Sequence, residues 1–203
     1  MRSRWFLAGA ASVCAVLIGT GMAVLQGSRG FSAREKPGSF ERWIAQRAWM
    51  SALPPDAKTR VNPIQNSPEI LEQGRAHWAD HCASCHANDG SGDTPLGKSL
   101  YPPAPDMRLE ETQKKADGTL FYIIQNGIRL TGMPAWGNGS AADEQDSWKL
   151  VHFIRHLPQL TPEEKQQMQR LNPKSPDEFR EEQEEEKFLN GEIDATPPQH
   201  HHH

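Results

Sequence analysis

Apolar side chains recur at helical spacing in three segments in the middle of the chain. The first segment begins at Ser67-Pro68, because a hydroxyl residue followed by proline is a typical helix start. The second is an apolar face over residues 120–124, which Gly127 is expected to end. The third runs through residues 148–157 and stops at Pro158. No segment alternates as a strand does, so the pattern predicts an all-α domain over residues 67–158, with an irregular Gly- and Pro-rich loop at residues 88–106.

A long apolar stretch precedes these helices at the start of the chain. Arg2 and Arg4 carry positive charge, and residues 5–25 are uncharged, mostly apolar and long enough to span a bilayer. The positive-inside rule then places the N-terminus in the cytoplasm and the rest of the chain outside. Gly21-Met22-Ala23 would also serve as a signal-peptide cleavage site, but retention of residues 1–25 as an anchor is favoured.

Residues 26–66 are predicted to link this anchor to the helical domain. The stretch from residue 26 to residue 39 is polar and contains glycine, which is typical of a flexible linker. Residues 40–53 are different, because Phe40, Trp43 and Ile44 lie among arginines in an amphipathic segment. We expect this segment either to rest on the membrane surface or to pack on the helical domain or a partner.

Residues 159–203 are predicted to form an acidic helical tail. Thr161-Pro162 and Ser175-Pro176 both have the hydroxyl-proline pattern of a helix start, followed by glutamates. Residues 175–194 hold 9 acidic and 2 basic side chains, whereas residues 1–60 hold 9 basic and 3 acidic, within a net charge of −4. The tail is therefore expected to be solvated, or to meet a basic partner. The terminal run from His200 to His203 is either a metal-binding segment or, as we favour, a disordered end or expression tag.

The strongest chemical signal is the run Cys82-Ala83-Ser84-Cys85-His86. A Cys-x-x-Cys-His run is the attachment signature of c-type haem. On a helix its two thiols and imidazole point from one face, so Cys82 and Cys85 can form thioethers with haem while His86 reaches the iron. A redox disulfide and half a zinc site are the alternatives. The third cysteine, Cys14, lies in the apolar N-terminal stretch and adds no zinc ligand, and no βαβ setting surrounds the motif.

Met133 is the candidate for the second axial iron ligand. It lies in the loop Gly132-Met133-Pro134, whose glycine and proline favour an irregular backbone. A thioether there would give His/Met ligation, which raises the reduction potential relative to two histidines, although a methionine also often fills a core. Three further residues are candidates for contacts with the haem propionates, namely Arg108, Arg129 and Trp136.

In these motifs the chain resembles the class I, mitochondrial-type, monohaem cytochrome c family. The likeness rests on Gly74, Trp78 and the haem motif in the first helix, on the methionine loop ending at Trp136, and on Trp148 to Arg155 in the last helix. It covers about residues 67–158 and implies three main helices around one covalent haem c, with His86 and Met133 as axial ligands. It also implies that an aromatic residue of the last helix packs on Gly74. The resemblance further implies that a proline carbonyl, of Pro102 or Pro103, accepts the imidazole hydrogen of His86.

The predicted function is one-electron transfer by a membrane-tethered cytochrome that is not an enzyme. The resemblance implies a bacterial inner-membrane protein whose haem domain faces the periplasm and meets redox protein partners, as a tethered shuttle or as a subunit of a respiratory complex. A haem enzyme or gas sensor would need a labile sixth ligand, and a metal-binding adaptor would act through the acidic, His-rich tail. No small-molecule substrate is expected. Nucleic-acid binding has no support, because the basic residues surround the membrane segment rather than gather on a folded face.

Overall fold

A computed structural model describes residues 2–27, 32, 35–174 and 176–190, and these residues form helices joined by loops, with no strand among them. The predicted all-α class is confirmed. A π-helical turn (Trp78–Cys82) joins α4 to α5, and a 3-10 turn (Leu157–Gln159) follows α9. The helices in chain order are α1 (Arg2–Gly27), α2 (Ser39–Ala52), α3 (Pro55–Thr59), α4 (Pro68–His77), α5 (Ala83–His86), α6 (Pro95–Ser99), α7 (Glu110–Gln113), α8 (Asp117–Asn126), α9 (Ala141–His156), α10 (Pro162–Gln169) and α11 (Pro176–Leu189).

Helix α1 has the length and composition of a membrane span. Its segment Trp5–Gly27 has 23 residues and a mean hydropathy of 2.0, and none of it is buried against the rest of the protein. A signal sequence near an N-terminus has the same properties. The predicted apolar helix is therefore present, with its apolar side chains exposed for a bilayer.

Helices α4 and α9 cross at a glycine, and this crossing sets the frame of the domain. The hydroxyl of Ser67 accepts a hydrogen bond from the backbone N–H of Ile70 at 3.3 Å, as the predicted helix start requires. A Cβ atom at Gly74 would lie 2.6 Å from the carbonyl oxygen of Lys149 and 3.1 Å from Cβ of Phe153. Only glycine lets the two helices approach this closely. The aromatic residue that the resemblance placed against Gly74 is Phe153, and its side chain is fully buried.

Helix α8 closes the core against α9. Phe121 of α8 stacks on Trp148 of α9 with ring centroids 4.1 Å apart, and both side chains are buried. Gly127 ends α8 with a φ of 65°, a value that glycine adopts without strain. Pro158 lies in the 3-10 turn directly after α9, as expected of a residue that cannot continue the helix.

The chain on the N-terminal side of the predicted 67–158 domain packs against it. Leu53 and Ala57 are buried, and the carbonyl of Ala57 accepts a hydrogen bond from Thr119 of α8 at 3.0 Å. The Arg60 guanidinium lies 4.6 Å from the centre of the Phe121 ring, which is close enough for a cation–π contact. The packed unit thus begins near residue 53, inside the stretch that the sequence pattern assigned to a linker.

Helix α2 makes contact with this unit through two polar side chains. The hydroxyl of Tyr101 donates to the Glu41 carboxylate, and the amide of Gln46 donates to Glu111 at 2.6 Å. No side chain of α2 is buried. The amphipathic segment was expected either to rest on a membrane surface or to pack on the domain or a partner. In the structure it contacts the helical domain through polar side chains, and its apolar residues stay exposed.

The chain after the predicted domain also contributes to the core. Thr161 and Glu164 form the predicted capping box at the start of α10, with bonds of 3.2 and 2.9 Å. Met168 of α10 is 0% exposed within the core, although the sequence pattern placed it after the core. Helix α11 starts at Pro176 as expected, and Phe188 on it is exposed. Ser175 and the run from His200 to His203 lie outside the described residues.

Arg155 ties the end of α9 to the segment between α7 and α8. Its guanidinium donates to the Asp117 carboxylate at 2.7 and 3.0 Å, to the Gln113 carbonyl at 2.6 Å and to the Lys115 carbonyl. We expect Arg155→Ala to lower the free energy of unfolding by about 2 to 3 kcal/mol, because charged hydrogen bonds are lost and buried acceptors are left unpaired. Denaturant unfolding followed by circular dichroism measures this loss.

Two matched variants make the Arg155 result specific. Arg155→Lys should recover little stability, because a single ammonium group cannot reach three acceptors in the fork geometry of arginine. Lys58→Ala removes an exposed cation and should change stability by less than about 0.5 kcal/mol. Equal stability of Arg155→Ala and Lys58→Ala would contradict the role given to these bonds.

Candidate haem-attachment site

The Cys-x-x-Cys-His run lies where α4 turns through the π-helical segment into α5. Trp78 is buried at the start of this turn, and its indole N–H donates to the Ala87 carbonyl at 3.0 Å. That bond holds both ends of the motif, because Ala87 follows His86 and leaves the helix with a φ of 61°. Single π-turns within helices are frequent at functional sites. Cys82 thus lies at the end of the π-turn, and Cys85 and His86 lie in α5 directly after it.

His86 has the protonation state that a metal ligand needs. Burial lowers the pKa of His86 below its usual value, so the imidazole is neutral at physiological pH. Its Nδ1 atom is buried and has no hydrogen-bond partner in the described part of the chain. The Trp78 ring lies 5.7 Å from the imidazole and limits its orientation. A neutral imidazole can bind a metal through one ring nitrogen while the other donates a hydrogen bond, and His86 is in the state that such a ligand needs.

The environment of Cys82 differs from that of a redox-active thiol. Burial, and to a smaller extent the nearby Cys85 thiolate, raises the pKa of the Cys82 thiol to about 12. Redox-active cysteines of the thioredoxin type have a lowered pKa instead, so this environment disfavours the disulfide alternative. The described residues contain no group of three or more His, Cys, Asp or Glu side chains placed to hold a metal ion. The zinc alternative therefore lacks its remaining ligands in that part of the chain.

The loop after His86 folds back onto the motif through Thr94. The hydroxyl of Thr94 donates to the Ser84 carbonyl at 2.8 Å and lies 3.2 Å from the Cys85 carbonyl. The same hydroxyl caps α6 by accepting the backbone N–H of Gly97 at 2.8 Å. Sequence reasoning missed α6 and its cap, although Thr94-Pro95 repeats the hydroxyl-proline signal read correctly at Ser67 and Thr161.

The methionine loop is held by its own hydrogen bonds and contacts the π-turn and the residue after α6. The Met133 carbonyl accepts from the backbone N–H of Ile128 at 3.1 Å, and the Met133 N–H donates to the Thr131 hydroxyl at 3.1 Å. Trp136 contacts His81 edge-on, with ring centroids 5.6 Å apart. Gly132 lies against Leu100, which directly follows α6. Met133 itself is half-buried.

The residues predicted to surround the haem lie in different settings. The Arg108 guanidinium is held by Asp106 at 2.7 and 2.9 Å and by Asp89 at 2.9 Å, and its hydrogen bonds lower the pKa of Asp106. Arg129 is exposed, and Trp136 is 39% exposed. Neither Pro102 nor Pro103 accepts the Nδ1 hydrogen of His86 in this structure. The propionate contacts and the proline acceptor stay predictions.

Taken together, the donor set fits haem c. Two thiols at the attachment spacing, a neutral, partly buried imidazole, and a half-buried thioether in a nearby loop are the groups that this cofactor uses. Cys82 and Cys85 would hold the porphyrin, and His86 and Met133 are the groups available to the iron.

Comparisons with known proteins agree with this reading. The model of the family "Cytochrome C oxidase, cbb3-type, subunit III" matches residues 69–154. A relative, the Cbb3-type cytochrome c oxidase subunit FixP of Rhizobium meliloti (strain 1021), is 33% identical over 72 residues. That alignment covers 35% of this chain and 22% of the relative, so the likeness spans less than a quarter of the relative's length.

The range matched by the family model includes the haem motif and the helix crossing at Gly74. Domains of this type bind haem c and transfer electrons through it. Residues 69–154 of this chain therefore form a class I c-type cytochrome domain.

Proposed function

We propose that this chain transfers single electrons through one haem c with His/Met-ligated iron. Cys82 and Cys85 would form the thioethers, and His86 and Met133 would bind the iron. The observation that carries the proposal is the partly buried His86 imidazole, placed one residue after the second thiol and beside the Trp78 ring at 5.7 Å. The sequence contains one Cys-x-x-Cys-His run, which supports a single haem.

The bound haem would supply a reversible one-electron couple between ferric and ferrous iron. The protein's part is to hold the ligands and limit access of water. Trp78 orients the imidazole and anchors the end of the motif through Ala87. Thr131 and Gly127 shape the loop that carries Met133, and Leu100 packs beneath Gly132. None of these groups needs to bind or convert a substrate, so the arrangement favours an electron carrier over an enzyme.

The anchor and the matched family support a proposal for the compartment and the partners. A membrane span at α1 with positive charge before it would place the cytochrome domain on the periplasmic face of a bacterial inner membrane. The matched family and relative are named as subunits of a cytochrome c oxidase, which supports redox proteins as partners. We infer a role close to a membrane respiratory complex, either as a tethered shuttle or as a bound subunit.

Replacing Met133 tests the ligation directly. In the wild type we expect a low-spin c-type spectrum with a weak sulfur-to-iron charge-transfer band in the near infrared. Met133→Ala should abolish that band, open the sixth position to carbon monoxide and lower the reduction potential, because axial ligands set potentials over a range of about 0.8 V. Absorption spectra of both redox states, with and without carbon monoxide, measure these changes.

Met107→Ala is the matched control for this experiment. Met107 is a partly buried methionine that packs on the core, so its removal should leave the band and the sixth position unchanged. A wild-type protein that is already high-spin or binds carbon monoxide readily would reject the electron-carrier proposal in favour of an enzyme or gas sensor. Loss of the band in Met107→Ala alone would move the ligand assignment to Met107.

A further inference from the structure

Helix α2 has an apolar face that the described part of the chain leaves uncovered. Phe40, Trp43, Ile44 and Met50 are 73%, 54%, 50% and 44% exposed. The Phe40 and Trp43 rings stack on each other with centroids 6.0 Å apart, and neither ring has another aromatic neighbour among the described residues. Contiguous exposed apolar surface of this kind marks an interaction site in soluble and peripheral proteins.

The opposite side of α2 is the one that meets the cytochrome domain. At about 100° per residue, Phe40, Ile44 and Arg47 project within about 60° of one another, and Trp49 projects on the far side. Trp49 is half-buried, whereas no residue of the first group is. The bonds from Tyr101 to Glu41 and from Gln46 to Glu111 leave the helix on its domain side. The helix therefore has one face toward the domain and an apolar face directed away from it.

The position of α2 in the chain limits what can cover this apolar face. Residues 28–38 are the whole connection between α1 and α2, and 11 residues reach at most about 40 Å when fully extended. If α1 spans a membrane, α2 is always close to the surface of that membrane. The face also has the composition of an interfacial helix, because it combines a tryptophan with an arginine. The Arg47 guanidinium lies 5.8 Å from the centre of the Trp43 ring. Tryptophan and arginine are both favoured at the headgroup level.

The charge of this end of the chain matches an anionic surface. Residues 28–60, which follow α1 and lie on the same side of the proposed span as α2, carry 7 basic and 3 acidic side chains, although the whole chain has a net charge of −4. Each basic group near an anionic leaflet contributes about 1 kcal/mol of attraction. A protein partner would need a complementary apolar groove, for which nothing in the structure argues.

We propose that α2 lies on the anionic lipid surface beside α1, with Phe40, Trp43, Ile44 and Met50 inserted at the headgroup level. This inference rests on the membrane anchoring proposed above. Glu41 and Gln46, on the other face of α2, then hold the cytochrome domain directly above the bilayer. The domain meets its redox partners in one orientation, instead of moving freely at the end of a linker.

Site-directed spin labelling of the full-length, haem-loaded protein tests this placement. The protein is reconstituted into phosphatidylcholine vesicles containing phosphatidylglycerol, with the haem reduced so that the low-spin iron is diamagnetic. In a Cys14→Ser background, one nitroxide is attached through Ile44→Cys and a second, matched one through Ala45→Cys. A third sample carries the label on native Cys14 within α1. Each label is measured for accessibility to oxygen, which concentrates in the bilayer, and to a water-soluble nickel chelate.

We expect the oxygen-to-nickel accessibility ratio to be several-fold higher at position 44 than at position 45, and high at Cys14. Equal, nickel-accessible labels at positions 44 and 45 with a high ratio at Cys14 would overturn the lipid-surface placement while leaving the anchor intact. Low accessibility of position 44 to both reagents would overturn it in favour of a protein partner or a second copy. A nickel-accessible Cys14 would instead reject the anchoring itself.

Discussion

A chain with both Cys82→Ala and Cys85→Ala is expected to lose covalent haem completely. Thioether bonds to these two sulfurs are the covalent links that c-type attachment provides, whereas the His86 bond to iron is reversible. Any haem that the variant retains should therefore be extractable into acidified organic solvent and absent from a denaturing gel stained for haem peroxidase activity. The wild type should keep its haem under both treatments.

The third cysteine supplies the control for this loss. Cys14 is exposed on α1, far along the chain from the motif, and Cys14→Ala should leave haem attachment unchanged. Single variants are informative as well, because one remaining thiol should still form one thioether and hold the haem on the gel. Haem that stays covalently bound to the double variant would contradict the attachment site.

The local structure of this domain could largely be predicted from short signals in the sequence. Ser67 and Thr161 cap α4 and α10 as expected, and Gly127 ends α8 with a positive φ. These predictions succeeded because a cap depends on a hydroxyl, a proline and the next few residues, all adjacent in the chain. The Cys-x-x-Cys-His run is local in the same way, so the candidate site was accessible from the sequence.

The limits of the packed unit could not be predicted in this way. Arg60 and Ala57 lie in a polar stretch with no helical periodicity, yet they pack on Phe121 and Thr119 of α8. Met168 is a single apolar residue in a glutamine- and glutamate-rich helix, and it is fully buried. Contacts between residues this distant in the chain depend on the tertiary fold, which the pattern of one segment does not record.

The site also contains details that spacing alone does not specify. The hydrogen bond from the Trp78 indole to the Ala87 carbonyl spans the π-turn, and the sequence pattern did not predict that turn. Likewise, the engagement of Arg108 by Asp89 and Asp106 follows from how the loop folds, not from its composition. The sequence therefore identified which residues carry the chemistry, and the structure shows how their neighbours restrain them.

Enlarging Gly74 should destabilise the domain, in spite of an opposite local preference. Alanine favours a helix over glycine by about 1 kcal/mol, so the local effect of Gly74→Ala is stabilising. The added Cβ would, however, lie 2.6 Å from the backbone carbonyl oxygen of Lys149, and a backbone atom cannot move aside without shifting α9. Forced overpacking of this kind costs about 1 to 3 kcal/mol, so we expect a net loss of stability in Gly74→Ala and a larger one in Gly74→Val.

Denaturant unfolding of the haem-loaded, full-length protein in detergent, followed by circular dichroism and haem absorbance, measures this effect. Gln73→Ala is the matched control, because Gln73 is the exposed neighbour of Gly74 in α4 and its replacement tests helix propensity without the crossing. The sign of the change in unfolding free energy shows whether helix propensity or overpacking dominates at Gly74. A Gly74→Ala protein as stable as the wild type, or more so, would mean that propensity dominates and that α4 and α9 are not in the close contact seen here. Loss of stability in Gly74→Ala, with Gln73→Ala unchanged, would assign the effect to the packing of α9 on α4, the helix that leads directly into the haem motif.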